Sequence, residues 1–206
     1  MKTAFSLALA VLLLAGCRST YLTGYWRTSQ VPRQHYKKIL VLGMMPDSLM
    51  RQRMETHVAG DLTDRGLLAL TSFQDFDPFG FLRTDDKDVM QQFKQKGIDG
   101  VLTITLVNQS VEGFFLPGSL YHLLTNQYST DYYRLFAPEY YKEGMQYAWE
   151  SSFYDVNAGN RIFAVQTVSF QPASVESMAH EYGKVVTRQL RHHKVISRQH
   201  HRDAVR

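Results

Sequence analysis

Gly100-Val101-Leu102-Thr103-Ile104-Thr105-Leu106-Val107 is the stretch on which the fold turns. It is rich in β-branched residues and alternates as the central strand of a sheet does. Working back from it, Gly97 can end a helix that Thr84 caps, and Asp85, Asp86 and Asp88 complement the positive N-terminal end of that helix. Before it, Leu67-Leu68-Ala69-Leu70-Thr71 reads as a short strand. Met50, Met54, Val58 and Leu62 recur every four residues and draw one helical stripe, with Gly66 as its C-terminal stop. Pro46-Asp47-Ser48 supplies the cap of that helix and ends an apolar run, Ile39-Leu40-Val41-Leu42, of buried-strand length. The order is β-α-β-α-β with short connections, which suits a sheet carrying its helices on one face.

Forward from the central strand the pattern breaks. Residues 108–143 are a long aromatic segment holding Phe114, Phe115, Tyr121, Tyr128, Tyr132, Tyr133, Phe136, Tyr140 and Tyr141, with Pro117 and Pro138 and few charges. Loops beyond about 12–15 residues are uncommon and are usually functional or mobile. Three readings stay open for these aromatics: cover for the core, a membrane contact, or a surface that binds a protein partner. Met145, Tyr147, Trp149 and Phe153 then fall at alternate positions against Gln146, Glu150 and Ser152, which predicts a strand. Asn157-Ala158-Gly159-Asn160 predicts a hairpin turn, and Arg161 to Phe170 returns as the last strand. Pro172-Ala173-Ser174 opens a helix with the stripe Val175, Met178, Ala179, Tyr182, Val186 and Leu190. The expectation is an α/β (α+β) domain over residues 36–196 with a single mixed sheet of about five strands. The element order is β-α-β-α-β-loop-β-β-α, the helices pack mainly on one face, and residues 197–206 form a basic tail.

The N-terminus has a different character. Lys2 is followed by a nearly unbroken apolar run from Ala4 to Leu14, closed by Leu14-Ala15-Gly16-Cys17. A charged start, an apolar run of about 7–15 residues and a small-residue cleavage site mark a secretory signal peptide, and the run is shorter than the roughly 20 residues of a membrane span. Leu14-Ala15-Gly16-Cys17 resembles the lipobox of bacterial lipoproteins. That resemblance implies removal of residues 1–16, diacylation of the Cys17 thiol and further acylation of its new amine. It also implies sorting to the outer membrane, since Arg18 and Ser19 lack the aspartate that signals inner-membrane retention in enteric-type lipoproteins. Residues 17–35 are polar with scattered aromatics and read as a lipidated tether.

The domain order behind a lipobox resembles a group of small envelope lipoproteins that includes the penicillin-binding-protein activators and the curli-secretion lipoprotein CsgG. The residues carrying this are Lys38 to Leu42, Gly97 to Leu102, and Trp149 to Val156 followed by Gly159-Asn160. It implies the fold, and a role as an accessory or interaction module, with an oligomeric secretion or pore subunit as the alternative.

Charge and chemistry narrow the classes further. The formal charge is +4; loss of Lys2 leaves +3, and Lys184, Arg188, Arg191, Lys194, Arg198, Arg202 and Arg206 against Asp203 put +6 on the C-terminal end. Residues 17–183 therefore carry −3, which speaks against a nucleic-acid-binding domain. Cys17 is the single cysteine, so no intramolecular disulfide forms, and the lipobox resemblance implies that its thiol carries lipid. The sequence holds no Gly-x-Ser-x-Gly elbow, phosphate-binding glycine loop, His-Glu-x-x-His or Cys-x-x-Cys. His57, His122 and His180 are scattered over different elements, and the neighbours in His192-His193 and His200-His201 do not share a helix face. The reading is a non-catalytic lipoprotein with no metal and no cofactor beyond the covalent lipid on Cys17. Its expected partners are the bilayer and an envelope protein, with a homo-oligomer as a further option. An enzyme acting on envelope polymers is the remaining alternative.

Overall fold

Apolar runs too short for helices become strands here, and caps placed between them set where the helices begin. The computed structural model describes residues 19–29, 36–45, 47–73, 86–107, 146–170 and 172–197. Among these are six strands and three helices: β1 (Thr20–Arg27), β2 (Lys38–Met44), α1 (Ser48–Thr63), β3 (Leu68–Thr71), α2 (Asp86–Gln95), β4 (Gly100–Val107), β5 (Gln146–Asp155), β6 (Arg161–Phe170) and α3 (Val175–His192). They make an α/β fold around one mixed sheet in the order β1-β6-β5-β4-β2-β3. β2 runs parallel to both β3 and β4, whereas β4, β5, β6 and β1 pair antiparallel.

The caps predicted at Asp47 and Ser174 are in place, whereas Thr84 and Asp85 lie outside the described residues. Asp47 accepts the Met50 N–H at 2.8 Å to open α1, and Ser174 accepts the Ser177 N–H at 3.0 Å to open α3. Gly97, at a φ of 69°, follows the end of α2 in the left-handed conformation that a side chain disfavours. Asp155 stabilises the β5–β6 hairpin by accepting the N–H groups of Asn157 and Ala158.

One face of the sheet packs under α1 and α3. Ile39, Val41, Leu102, Ile104, Trp149, Phe153, Phe163 and Val165 meet Met54, Val58 and Leu62 of α1 and Met178, Tyr182, Val186 and Leu190 of α3. The two helices approach closely at Gly183, where an added Cβ would lie 2.7 Å from Asp61 Oδ2. The sheet turns back on itself at β2, because β3 lies on one side of it and β4 on the other. Right-handed crossovers then put α2 on the face opposite α1. Phe93 of α2 is fully buried and lies outside the cluster under α1 and α3.

Two expectations change. Residues 20–27, read as part of a tether, are the edge strand β1, seven of whose residues are in register with β6. The alternation that marks a strand is broken there by an irregularity between Leu22 and Gly24, so the period did not show. Glu150 and Ser152, read as the polar face of β5, are both buried. The aromatic segment 108–143, Cys17 with the signal peptide, and the tail beyond Ser197 lie outside the described residues.

Candidate functional site

Strand pairing brings together side chains that are far apart in the sequence. Gly24 and Trp26 of β1 stand opposite Gln166 and Ala164 of β6, and Gln166 stands opposite Glu150 of β5. Partners across a ladder share a face, so these residues line one recess of about 320 Å³ together with Arg161. Glu150, 2% exposed, accepts from Gln166 Nε2 at 3.0 Å, Ser152 Oγ at 3.2 Å and Arg161 Nη1 at 3.4 Å. Burial pushes its carboxyl above the usual carboxylate range, opposed by the Gln166 hydrogen bond, the Arg161 charge and the Ser152 hydroxyl. The Arg161 guanidinium lies 4.9 Å from the centre of the Trp26 ring, a cation–π contact. Its Nε is buried with no hydrogen-bond partner among the described residues. A forked donor, a fixed carboxylate, an amide and an indole that is 45% exposed thus meet at one recess.

The carboxylate is also structural. Glu150→Ala would leave the partly buried Arg161 and Gln166 without their shared acceptor at the floor of the recess. The expected cost is roughly 3 kcal/mol, since removing one partner of a buried pair strands the other. Urea denaturation measures it, and an unchanged midpoint would mean that water screens the pair.

A second buried carboxylate stands at the C-terminal ends of the parallel strands. Glu55 of α1 accepts from Gly43 N at 2.8 Å, Arg51 Nε at 2.9 Å, Ser72 Oγ at 2.7 Å and Phe73 N at 2.8 Å. It ties the ends of β2 and β3 to one helix. A third group lies on the outer side of α1 and α3. There His57 Nε2 and Arg53 Nε meet the Glu176 carboxylate at 2.6 and 3.2 Å, and the His57 and His180 rings are 5.5 Å apart. The hydrogen bond from His57 holds the Glu176 carboxyl below its ordinary range. Further along, Asp61, Asp64, Arg65, Lys184, Arg191, Ile196 and Ser197 border an open cleft of about 400 Å³. No group of three or more His, Cys, Asp or Glu among the described residues is placed to hold a metal ion.

Of the residues singled out in the sequence, His57 and His180 are brought together although they lie on different helices. His193 packs its ring on Tyr25 at 4.2 Å and on Phe163 at 5.3 Å. Phe114, Phe115, Tyr121, Tyr128, Tyr132, Tyr133, Phe136, Tyr140 and Tyr141 are outside the described residues. Sequence reasoning missed Glu55, Glu150, Arg161 and Glu181. The signals were a glutamate beside the apolar stripe of α1, four residues after Arg51, and a glutamate flanked by Trp149 and Ser151 in a buried strand.

With the fold and its polar clusters in view, two solved structures are similar to the chain. One is a PelC dodecamer from Paraburkholderia phytofirmans, at 12% identity and a TM-score of 0.46, covering 85% of this chain and 99% of that one. The other is a variant of the same dodecamer, at 13% identity and a TM-score of 0.44, covering 80% and 97%. At that level of likeness nothing about assembly or activity carries over to this chain. No protein-family model and no curated protein matches it.

Proposed function

We propose that the chain is a non-catalytic lipoprotein of the bacterial envelope. Acylation of Cys17 holds it at the outer membrane with its domain in the periplasm, where it acts as an interaction or accessory module of an envelope assembly. The observation that carries this reading is β1. It is an edge strand that begins three residues after the lipobox cysteine, and it exposes Tyr21, Leu22, Tyr25 and Trp26. An edge strand offers unpaired backbone groups, and aromatic side chains dominate the energetics of protein contacts. The partner this edge fits is a protein that adds an extended segment to the sheet, gripped by Tyr25 and Trp26. The aromatic segment around Tyr132 and Tyr133 is the second proposed contact. Membrane anchoring raises the effective concentration of both, so a modest intrinsic affinity suffices.

The test is a pull-down from native membranes after in-cell crosslinking. Tyr25→Ala with Trp26→Ala, and separately Tyr132→Ala with Tyr133→Ala, are expected to weaken partner recovery by about 2 kcal/mol or more, at least tenfold. Because the first pair also gives up the ring contact to His193 and the cation–π contact to Arg161, recovery is compared at equal amounts of folded protein. Cys17→Ser is expected to block lipidation and leave an uncut precursor or release soluble protein, since stable anchoring takes two or more acyl chains. Full partner recovery by both aromatic double variants would end the interaction reading. Recovery of only further copies of the chain would instead favour the oligomeric secretion subunit.

A further inference from the structure

Ser19, two residues after Cys17, is held through its N–H, its carbonyl and its hydroxyl. Its N–H and hydroxyl both donate to Glu181 Oε2 of α3, at 2.6 and 3.0 Å, and the Thr20 N–H donates to the same oxygen at 3.0 Å. The Ser19 carbonyl accepts the Phe170 N–H at 2.8 Å, and Thr20 Oγ1 and Ser169 Oγ lie 2.8 Å apart. The chain is therefore part of the domain from Ser19 onward, and Arg18 is the one link between this latch and the cysteine. Two extended residues span at most about 7 Å.

We infer that the protein has no tether, and that Glu181 latches the chain so that acylated Cys17 seats this end of the sheet directly on the lipid bilayer. The inference rests on acylation of Cys17. The two side chains at the seat suit it. Tyr21 is 52% exposed and Phe170 46% exposed, and their rings meet edge-on at 6.1 Å beside the latch. The Tyr21 ring, with an apolar body and a polar tip, suits the headgroup layer, and the wholly apolar Phe170 ring faces the hydrocarbon beside it. That layer is about 5–7 Å thick on each side of the hydrocarbon, which matches the reach from Cys17. The orientation follows from the same contacts. The turn at 156–158, at the far end of β5 and β6, stands away from the membrane by the length of β6, roughly 30 Å for ten residues.

The test uses the full lipidated chain, purified from membranes and reconstituted in vesicles of phosphatidylethanolamine and phosphatidylglycerol. With Cys17 acylated, a single introduced cysteine takes a spin label, either Phe170→Cys or Ala158→Cys, with Tyr21→Cys as a second probe of the seat. Power saturation compares collision with oxygen, which concentrates in lipid, and with a nickel chelate, which stays in water. The oxygen-to-nickel ratio is expected to be several-fold higher at positions 170 and 21 than at 158. Glu181→Ala removes the three hydrogen bonds at Ser19 and Thr20 while β1 stays paired with β6, and should lower the ratio at 170 part of the way towards that at 158. Intact mass decides the premise: an unmodified Cys17 overturns the acylation and the seat with it. Acylated protein with equal ratios at 170, 21 and 158 overturns the seat alone. A ratio at 170 unchanged by Glu181→Ala overturns the latch.

Discussion

Glu55→Ala is expected to lower the stability of the domain by roughly 3–5 kcal/mol, and the melting temperature by about 10 °C or more. The carboxylate is fully buried and accepts four hydrogen bonds, two from backbone N–H groups at the ends of β2 and β3 and two from the side chains of Arg51 and Ser72. Alanine would take the acceptor from Arg51 Nε, from the Ser72 hydroxyl and from two backbone donors, while Arg51 Nη2 keeps Ser72 Oγ at 3.0 Å. Glutamine would recover less than its similar shape suggests. Both carboxylate oxygens are acceptors here, and its amide would turn a donor towards a donor. Gly43 leaves no slack either, since an added Cβ would lie 2.8 Å from Arg51 Cγ and 3.0 Å from Glu55 Oε1. Thermal and urea denaturation of the Cys17→Ser domain would measure the effect. A loss below about 1 kcal/mol would mean that the network relaxes onto water and that Glu55 is not what holds these two strand ends.

Val186→Asp is expected to cost about 4 kcal/mol or more and to leave much of the protein unfolded. Val186 is fully buried on α3, on the face that carries Met178, Tyr182 and Leu190 into the core between α1 and the sheet. An aspartate there has no charged partner, so it must be protonated, or drag water inward, or lever the helix off. Arg188, two residues on, is exposed, and Arg188→Gln should change stability by no more than about 0.5 kcal/mol. Circular dichroism melts of the two variants check the orientation of the helix. Equal melts would mean that α3 does not present Val186 to the core.

Much of this architecture was legible in the residues. Ile39 to Leu42, Val101 to Val107 and the return from Arg161 to Phe170 declare strands because their apolar or β-branched runs are too short for helices and are bounded by turn residues. Asp47, Ser174, Gly66 and Gly97 mark helix ends because caps are made within a few residues of the chain. The stripe from Met178 to Leu190 named the buried face of α3 because helical geometry alone repeats it. Each of these is a local fact, and a local period records it.

What the tertiary structure decided is which elements meet. Thr20 finds Ser169 across 149 positions and Glu181 across 161, so although Thr20, Tyr21, Thr23, Tyr25 and Trp26 favour a strand, the partners that make β1 an edge strand lie far along the chain. Glu150 looks like the wet face of an alternating strand until β6 and β1 place Gln166, Arg161 and Trp26 against it. Glu55 looks like an ordinary helical glutamate until the ends of β2 and β3 turn their N–H groups towards it. Burial of a charged group depends on partners that sequence periodicity does not encode. The sequence by itself therefore determined the elements and their buried apolar faces. The order of strands in the sheet, the latch at Ser19 and the polar clusters were settled only when distant segments closed on one another, because a hydrogen bond between them needs both ends in place.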